Sequence, residues 1–115
     1  MTKASLGAGN VHIQLDGETV TLRPTLKAAQ AISRQAGGLI ATLKGLSELD
    51  LDVVTGVIAA GLGRKTADIE DEVFRTGVVS LIPGATAFIG ILANGGRPSE
   101  AGGSGEENPP RKTAD

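Results

Sequence analysis

The side chains that could take part in catalysis are few and stand far apart in this sequence. His12 is the only histidine among 115 residues, and there is no cysteine. A thiolate nucleophile, a thiolate zinc site and a disulfide are therefore excluded. Ser80 lies in no nucleophile-elbow pattern, and the only histidine that could activate it is the remote His12. A lone imidazole without neighbouring acidic residues is typical of a solvent-facing position, so we expect no enzyme activity, no metal site and no cofactor.

Two short segments resemble ion-binding or phosphate-binding loops without matching them. Glu48, Asp50 and Asp52 alternate like the start of a calcium loop, but the required glycine and the closing glutamate are missing. We therefore interpret Asp50 or Asp52 as a helix cap. Residues 61–66, with the sequence GLGRKT, have no glycine immediately before Lys65 and follow a predicted helix instead of a strand. A helix end followed by a basic turn accounts for them.

The residues around Asp16-Gly17 predict a β-hairpin over residues 11–22. This dipeptide supplies the two positive φ angles of a type I′ turn, which fixes the pairing of the flanking residues. One face of the hairpin is then apolar and consists of Val11, Ile13, Val20 and Leu22. The other face is polar and carries His12, Gln14, Thr19 and Thr21. Because two strands alone are marginal in water, the rest of the chain must cover the apolar face.

Four further segments have the end signals and the apolar spacing of short helices. The first is capped by Thr25 and ends at Gly37-Gly38, and the second spans residues 39–46. The third ends at Gly63, and the fourth is capped by Thr66 and ends at Gly77. The side chains expected to point inward are Leu26, Ala29, Ile32 and Ala36 in the first helix, Val53, Val54, Val57, Ile58 and Leu62 in the third, and Ile69, Val73 and Phe74 in the fourth.

The segment Val78–Ala93 carries no charge and predicts a fifth helix. Pro83 is accepted in the first turn of a helix that opens after Ser80 or Leu81, and it would kink a helix that ran through it. The uncharged run over residues 77–96 reaches the length of a membrane span only by counting glycine, serine, proline and asparagine, so we expect no membrane span. We interpret the segment as a buried or partner-facing helix. Because its apolar residues exceed what a thin domain readily covers, we predict that it forms a partner-binding surface. The candidate anchors are Leu81, Ile82, Phe88, Ile89 and Leu92.

Composition predicts one domain between two unstructured ends. Residues 95–115 are rich in glycine, proline and charge, and cannot bury enough apolar surface to offset the entropy of ordering them. We expect flexible residues 1–10, a single α+β, mostly α domain over residues 11–94 with a hairpin packed on four or five short helices, and a disordered tail over residues 95–115. With no tryptophan, no tyrosine and only two phenylalanines, the core is thin, and association, including homo-oligomer formation, is expected to complete it.

The charged residues are segregated along the chain. The net charge is −2, which argues against a general nucleic-acid-binding protein. Between Glu18 and Glu48 the charged residues are all basic, namely Arg23, Lys27, Arg34 and Lys44, whereas Asp68, Glu70, Asp71 and Glu72 crowd a later segment. Solvated helix faces are one interpretation of this pattern. A dipolar subunit that docks on an oppositely charged neighbour is the other.

A helix-turn-helix motif is a minor alternative for the third and fourth helices. The loop of residues 61–66 would form its turn, and the fourth helix would be the recognition helix. That helix carries the four acidic residues of the later segment, which would repel phosphates. Arg64, Lys65 and Arg75 are the basic residues that oppose this repulsion.

The order of these elements, taken with their residues, resembles a known family. The residues that carry the resemblance are LDGE at 15–18, LRPT at 22–25, the alanine and isoleucine stripe ending at 37–39, IAAGL at 58–62 and LANGG at 92–96. They are similar to the small tail proteins of gene transfer agents and related siphophages, which are grouped with the tail assembly chaperones. The resemblance covers residues 11–96, most of the chain.

This resemblance implies a non-enzymatic phage or gene-transfer-agent protein. Tail assembly chaperones bind the aggregation-prone tape measure protein in the bacterial cytoplasm and help to recruit tail tube subunits around it. The N-terminal residues lack the charged region and the apolar run of a secretory signal, which agrees with the expected cytoplasmic location. The competing interpretation is a structural subunit that stays in the virion tail and offers its hairpin edges to neighbours.

Overall fold

Two short strands are followed along the chain by five helices. The computed structural model describes residues 9–98, so residues 1–8 of the predicted flexible start and residues 99–115 of the predicted tail lie outside the described part. The elements are β1 (Val11–Leu15), β2 (Glu18–Leu22), α1 (Leu26–Ala36), α2 (Leu39–Ser47), α3 (Leu51–Leu62), α4 (Thr66–Thr76) and α5 (Val78–Ala93). The predicted α+β, mostly α architecture with an N-terminal hairpin is confirmed.

The hairpin has the predicted register. Asp16 and Gly17 both adopt positive φ angles, 53° and 86°, as a type I′ turn requires. The strands are antiparallel and pair Val11 with Leu22, His12 with Thr21, Ile13 with Val20, Gln14 with Thr19 and Leu15 with Glu18. On the predicted apolar face Ile13 and Leu22 are buried, and Leu15 is buried with them. On the polar face His12, Gln14 and Thr19 are exposed and Thr21 is half-buried, and His12 Nδ1 lies 3.0 Å from Thr21 Oγ1.

Local signals set most of the helix ends. The Thr25 hydroxyl accepts a hydrogen bond of 3.0 Å from the Ala28 N–H, so Thr25 caps α1 as predicted. Asp50 Oδ1 likewise accepts from the N–H groups of Asp52 and Val53, which identifies Asp50 as the cap of α3. Thr66 was expected to cap α4 but is its first helical residue, because Lys65 takes the cap position and forms no side-chain cap bond.

The core forms around α3, which packs against α1, α2, α4, α5 and β2. Two glycines bring elements close to one another. A Cβ at Gly61 of α3 would lie 2.9 Å from Leu22 Cβ and 3.1 Å from Phe88 Cε2, and a Cβ at Gly84 of α5 would lie 2.6 Å from Ile13 Cγ2. The hairpin therefore lies directly on the backbones of α3 and α5.

Helix α5 begins earlier than the sequence predicted. It opens at Val78, directly after Gly77, and Pro83 lies inside it. A proline removes the hydrogen bond from its own nitrogen to the carbonyl four residues earlier, here that of Val79, and its ring crowds the same carbonyl. Both Val79 and Pro83 are exposed, so water can bind that carbonyl. The cost is low enough for the packing of α5 to keep the helix continuous.

Candidate functional site

The predicted partner anchors on α5 are core residues. Leu81, Phe88, Ile89 and Leu92 are buried, and Ile82 is partly buried against the same cluster. The reason is that α5 packs against β1, α2, α3 and α4, so its apolar side chains are covered from several sides within the domain. Their assignment as an exposed association surface is therefore corrected.

Large apolar side chains are exposed elsewhere, on α1 to α5 and in the loop before α3. They are Leu26, Ile40, Leu49, Leu51, Phe74 and Val79. Phe74 was expected to point inward with Ile69 and Val73, but it is 73% exposed whereas those two are fully buried. Each helical residue is rotated by about 100° from the one before it, so Phe74 lies beside the buried stripe instead of on it. Leu26, also expected inward, is 74% exposed at the start of α1.

The first of three surface grooves lies over α3, between α1 and α4. This flank groove has a volume of about 380 Å³ and is lined by Ile32, Gln35, Ala36, Thr42, Asp52, Val53, Thr55, Val57, Thr66 and Glu70. The buried hydroxyls of Thr42 and Thr55 donate to the carbonyls of Gly38 and Leu51, each at 2.8 Å, and are satisfied there. The groove thus combines an apolar floor with two carboxylates, those of Asp52 and Glu70.

The second groove lies at the junction of α4 and α5. This Phe74 groove, of about 380 Å³, is lined by Leu51, Phe74, Gly77, Val78 and Val79. Its lining is almost wholly apolar. The residues next to Leu51 in the chain are Asp50 and Asp52, and Glu70 and Asp71 precede Phe74 by one helical turn. The groove therefore lies in an acidic part of the surface.

A hydrogen-bonded network joins the hairpin turn to the end of α4 near this groove. Arg75 Nη2 lies 2.7 Å from Asp16 Oδ2, and the Asp16 N–H donates to the Thr76 hydroxyl at 2.7 Å. The Thr76 hydroxyl in turn donates to the carbonyl of Glu72. The hydrogen bonds from the Arg75 guanidinium lower the pKa of Asp16. Asp16, predicted as a turn residue only, therefore also docks the hairpin on α4, which no local sequence signal could indicate.

The third groove lies at the other end of α5. This Leu26 groove, of about 170 Å³, is lined by Pro24, Thr25, Leu26, Ala29, Leu92, Gly95 and Gly96. The charged residues next to its lining are Arg23, Lys27 and Arg97. The guanidinium of Arg97 lies over Gly95, where an added Cβ would be 3.1 Å from Nη1. The Gly96 N–H donates to the Ile91 carbonyl at 2.8 Å, so residues 95 and 96, predicted as tail, close the end of α5.

The part of the chain that the structure describes shows no cluster of metal ligands, and its candidate recognition helix, α4, is acidic. Residues 9–98 contain no group of three or more side chains placed to hold a metal ion. The turn between α3 and α4 is formed by Gly63, Arg64 and Lys65, but α4 exposes Asp68, Glu70 and Asp71. Those carboxylates would repel a phosphate backbone.

Comparison with protein-family models, with curated proteins and with solved structures finds no match in any of the three. Between residues 9 and 98, no helix has both the length and the apolar character needed to cross a membrane. The function proposed for the chain therefore depends on its own residues and grooves.

Proposed function

We propose that this protein is a tail assembly chaperone of a phage or gene transfer agent, a non-enzymatic protein that binds the tape measure protein in the bacterial cytoplasm and helps to recruit tail tube subunits. The observation that carries the proposal is the flank groove, which is lined by residues of four helices, with apolar side chains from α1 and α3 and carboxylates beside them. Concave apolar sites with a few polar groups are the usual binding sites of proteins.

The flank groove has the chemistry that recognises an amphipathic helix. An apolar side chain of the client would lie over Ala36 and Val53, which are half-buried, and a lysine or arginine one turn away would reach Asp52 or Glu70. A tape measure protein, as a long aggregation-prone chain, needs such contacts while it waits for its tube subunits. Binding one apolar side chain per chaperone copy would keep the client soluble.

The test is co-expression of the full chain with the tape measure protein from the same genome. The soluble fraction and the co-purified amount of the tape measure protein are measured with wild type, with Ala36→Phe and with Ala41→Phe. Ala36 lines the groove, so the larger side chain fills it and is expected to reduce capture at least tenfold. Ala41 is exposed on α2 and lines none of the three grooves, so Ala41→Phe is the matched control.

Two results contradict the proposal. In the first, the tape measure protein stays insoluble and uncaptured with wild type, which removes the chaperone function itself. In the second, Ala36→Phe and Ala41→Phe capture equal amounts while circular dichroism shows both folded, which removes the flank groove as the client site.

A structural subunit of the tail is the second candidate, and the hairpin favours it. The described sheet consists of β1 and β2 alone, so each strand keeps an outer edge that a neighbouring subunit could extend. Quantitative mass spectrometry of purified particles separates the two functions. A chaperone leaves before the tail is complete, whereas a structural subunit is present in a fixed copy number.

A further inference from the structure

We infer that the Phe74 groove of one copy of this protein binds the Leu26 end of a second copy, so that copies associate head to tail. The Leu26 end is defined as the exposed Leu26 side chain, its groove and the neighbouring residues Arg23, Lys27 and Arg97. This inference goes beyond the proposed function, because a chaperone could bind its client as a monomer.

The two grooves lie at opposite ends of one helix. Val78 and Val79 line the Phe74 groove at the start of α5, and Leu92 lines the Leu26 groove in its last turn. The 16 residues of α5 span about 24 Å at 1.5 Å per residue. One copy therefore presents two separate sites, one at each end of α5.

The two ends carry opposite charge. Four exposed acidic residues neighbour the lining of the Phe74 groove along the chain: Asp50 and Asp52 lie beside Leu51, and Glu70 and Asp71 lie one helical turn before Phe74. The nearest cation along the chain, Arg75, interacts with Asp71, but its salt bridge is with Asp16 of the same copy, so that pair adds no net charge to this end. Among residues 9–98, the charged neighbours of the Leu26 groove along the chain are basic. Contact between unlike ends is attractive, whereas contact between like ends is repulsive and costs affinity.

The apolar groups of the two ends are also complementary, because one end offers an exposed side chain and the other an apolar groove. Leu26 is 74% exposed and projects from the first turn of α1, and the Phe74 groove has room for such a side chain. Docking would cover Leu26, Phe74 and Val79 at once, which are three of the six large apolar side chains exposed on the described part.

A contact between two different ends is heterologous. Each bound pair keeps one free groove and one free Leu26 end, so association continues into a ring or a filament. Phe74→Asp blocks one end and Leu26→Asp blocks the other. A mixture of these two variants must therefore form a dimer and stop there, because one variant keeps its Leu26 end and the other keeps its Phe74 groove.

The experiment is sedimentation velocity on the full chain over a wide range of concentrations. Wild type is expected to rise from the monomer mass of 11.6 kDa to at least twice that mass, with weaker association at high salt. Phe74→Asp and Leu26→Asp are each expected to stay monomeric, and their equimolar mixture is expected to reach the dimer. Ile40→Asp is the control, since Ile40 is 79% exposed on α2 and lines none of the three grooves.

A charge exchange gives a second measurement. Glu70→Lys with Asp71→Lys leaves Asp50 and Asp52 as the only acidic residues at this end, so it cancels the negative charge there and is expected to weaken association. Adding Arg23→Glu with Lys27→Glu to the same chain is expected to strengthen association again, because the reversed charges of the two ends are then opposite. Asp68→Lys, six residues before Phe74 on α4, is the control and is expected to leave association unchanged.

Three results overturn the inference. Wild type stays monomeric at all concentrations, or association persists in both single variants, or their mixture stays monomeric while both are folded by circular dichroism. If an aspartate variant fails to fold, Phe74→Ser and Leu26→Ser replace the pair. Capture of the tape measure protein by a chain that does not self-associate overturns this inference and leaves the proposed function in place.

Discussion

The two phenylalanines of this chain differ in burial, although both lie in helices. Phe88 on α5 is fully buried against Gly61 and the hairpin, whereas Phe74 on α4 is 73% exposed. They are the only aromatic residues in the sequence, and both belong to helices with an apolar stripe. The difference teaches that residue type does not decide which large side chains are left for a partner.

The number of elements packed around each helix explains this difference. Helix α5 contacts β1, α2, α3 and α4, and it buries five of its residues. Helix α4 contacts α3, α5 and β1 and buries only Ile69 and Val73. One narrow stripe is enough to hold α4, and Phe74 lies beside that stripe. We expect the two regions to respond to mutation in different ways.

The largest expected effect is the difference in unfolding free energy between alanine substitutions of the two phenylalanines. Phe88→Ala removes a fully buried ring and leaves a cavity, so it should lower the free energy of unfolding by about 3–5 kcal/mol. Phe74→Ala removes an exposed ring and should change that free energy by no more than about 0.5 kcal/mol. Urea denaturation followed by circular dichroism measures both.

Equal losses of stability in these two variants would break the comparison. A large loss for Phe74→Ala alone would mean that the exposed ring is covered in solution, either by a second copy or by residues outside the described part. Repeating the denaturation at several protein concentrations distinguishes these cases, because only a second copy makes the midpoint depend on concentration.

Alanine substitutions at two glycines of α5 are expected to have effects of intermediate size on stability. An alanine Cβ at Gly84 would lie 2.6 Å from Ile13 Cγ2 of the hairpin, and at Gly90 it would meet nothing within 4 Å. Overpacking at Gly84 costs about 1–3 kcal/mol, more than the gain in helix propensity. Gly90→Ala should instead stabilise the protein by about 0.5–1 kcal/mol. Thermal unfolding of both variants is the measurement, and a stabilising Gly84→Ala would refute the close packing of α5 on β1.

The smallest expected effect concerns the ion pair that joins α4 to the hairpin. Asparagine at position 16 accepts a positive φ, so Asp16→Asn keeps the turn and removes the charge together with one of the two oxygens that accept from Arg75. The bond to Arg75 lowers the pKa of Asp16, so its contribution to stability is present above about pH 4, the ordinary pKa of aspartate. It is lost as the pH falls through the lower pKa of the folded state.

The unfolding midpoint of Asp16→Asn should therefore lie slightly below that of wild type at neutral pH and equal it in acid. Adding salt should also reduce the difference, because both groups are exposed. A difference that grows on acidification would contradict the assigned role of the pair.

Local chemistry made the hairpin and most helix ends predictable. Asp16-Gly17 has few backbone options other than the turn observed, and Thr25, Asp50, Gly37 and Gly63 each satisfy backbone groups a few residues away. The start of α5 was less predictable. Its continuation through Pro83 depends on packing with distant elements, which no signal near residue 83 contains.

The sequence by itself determined the order of the elements, the register of the hairpin and the absence of cysteine chemistry, because these depend on residue types and short spacings. Only the tertiary structure decided that Leu81, Phe88, Ile89 and Leu92 are core and that Phe74 and Leu26 are surface. An apolar stripe specifies that a helix needs a neighbour, but not how many neighbours it receives. The three grooves and the pairing of Asp16 with Arg75 join residues far apart in the chain, so they exist only once the helices have packed.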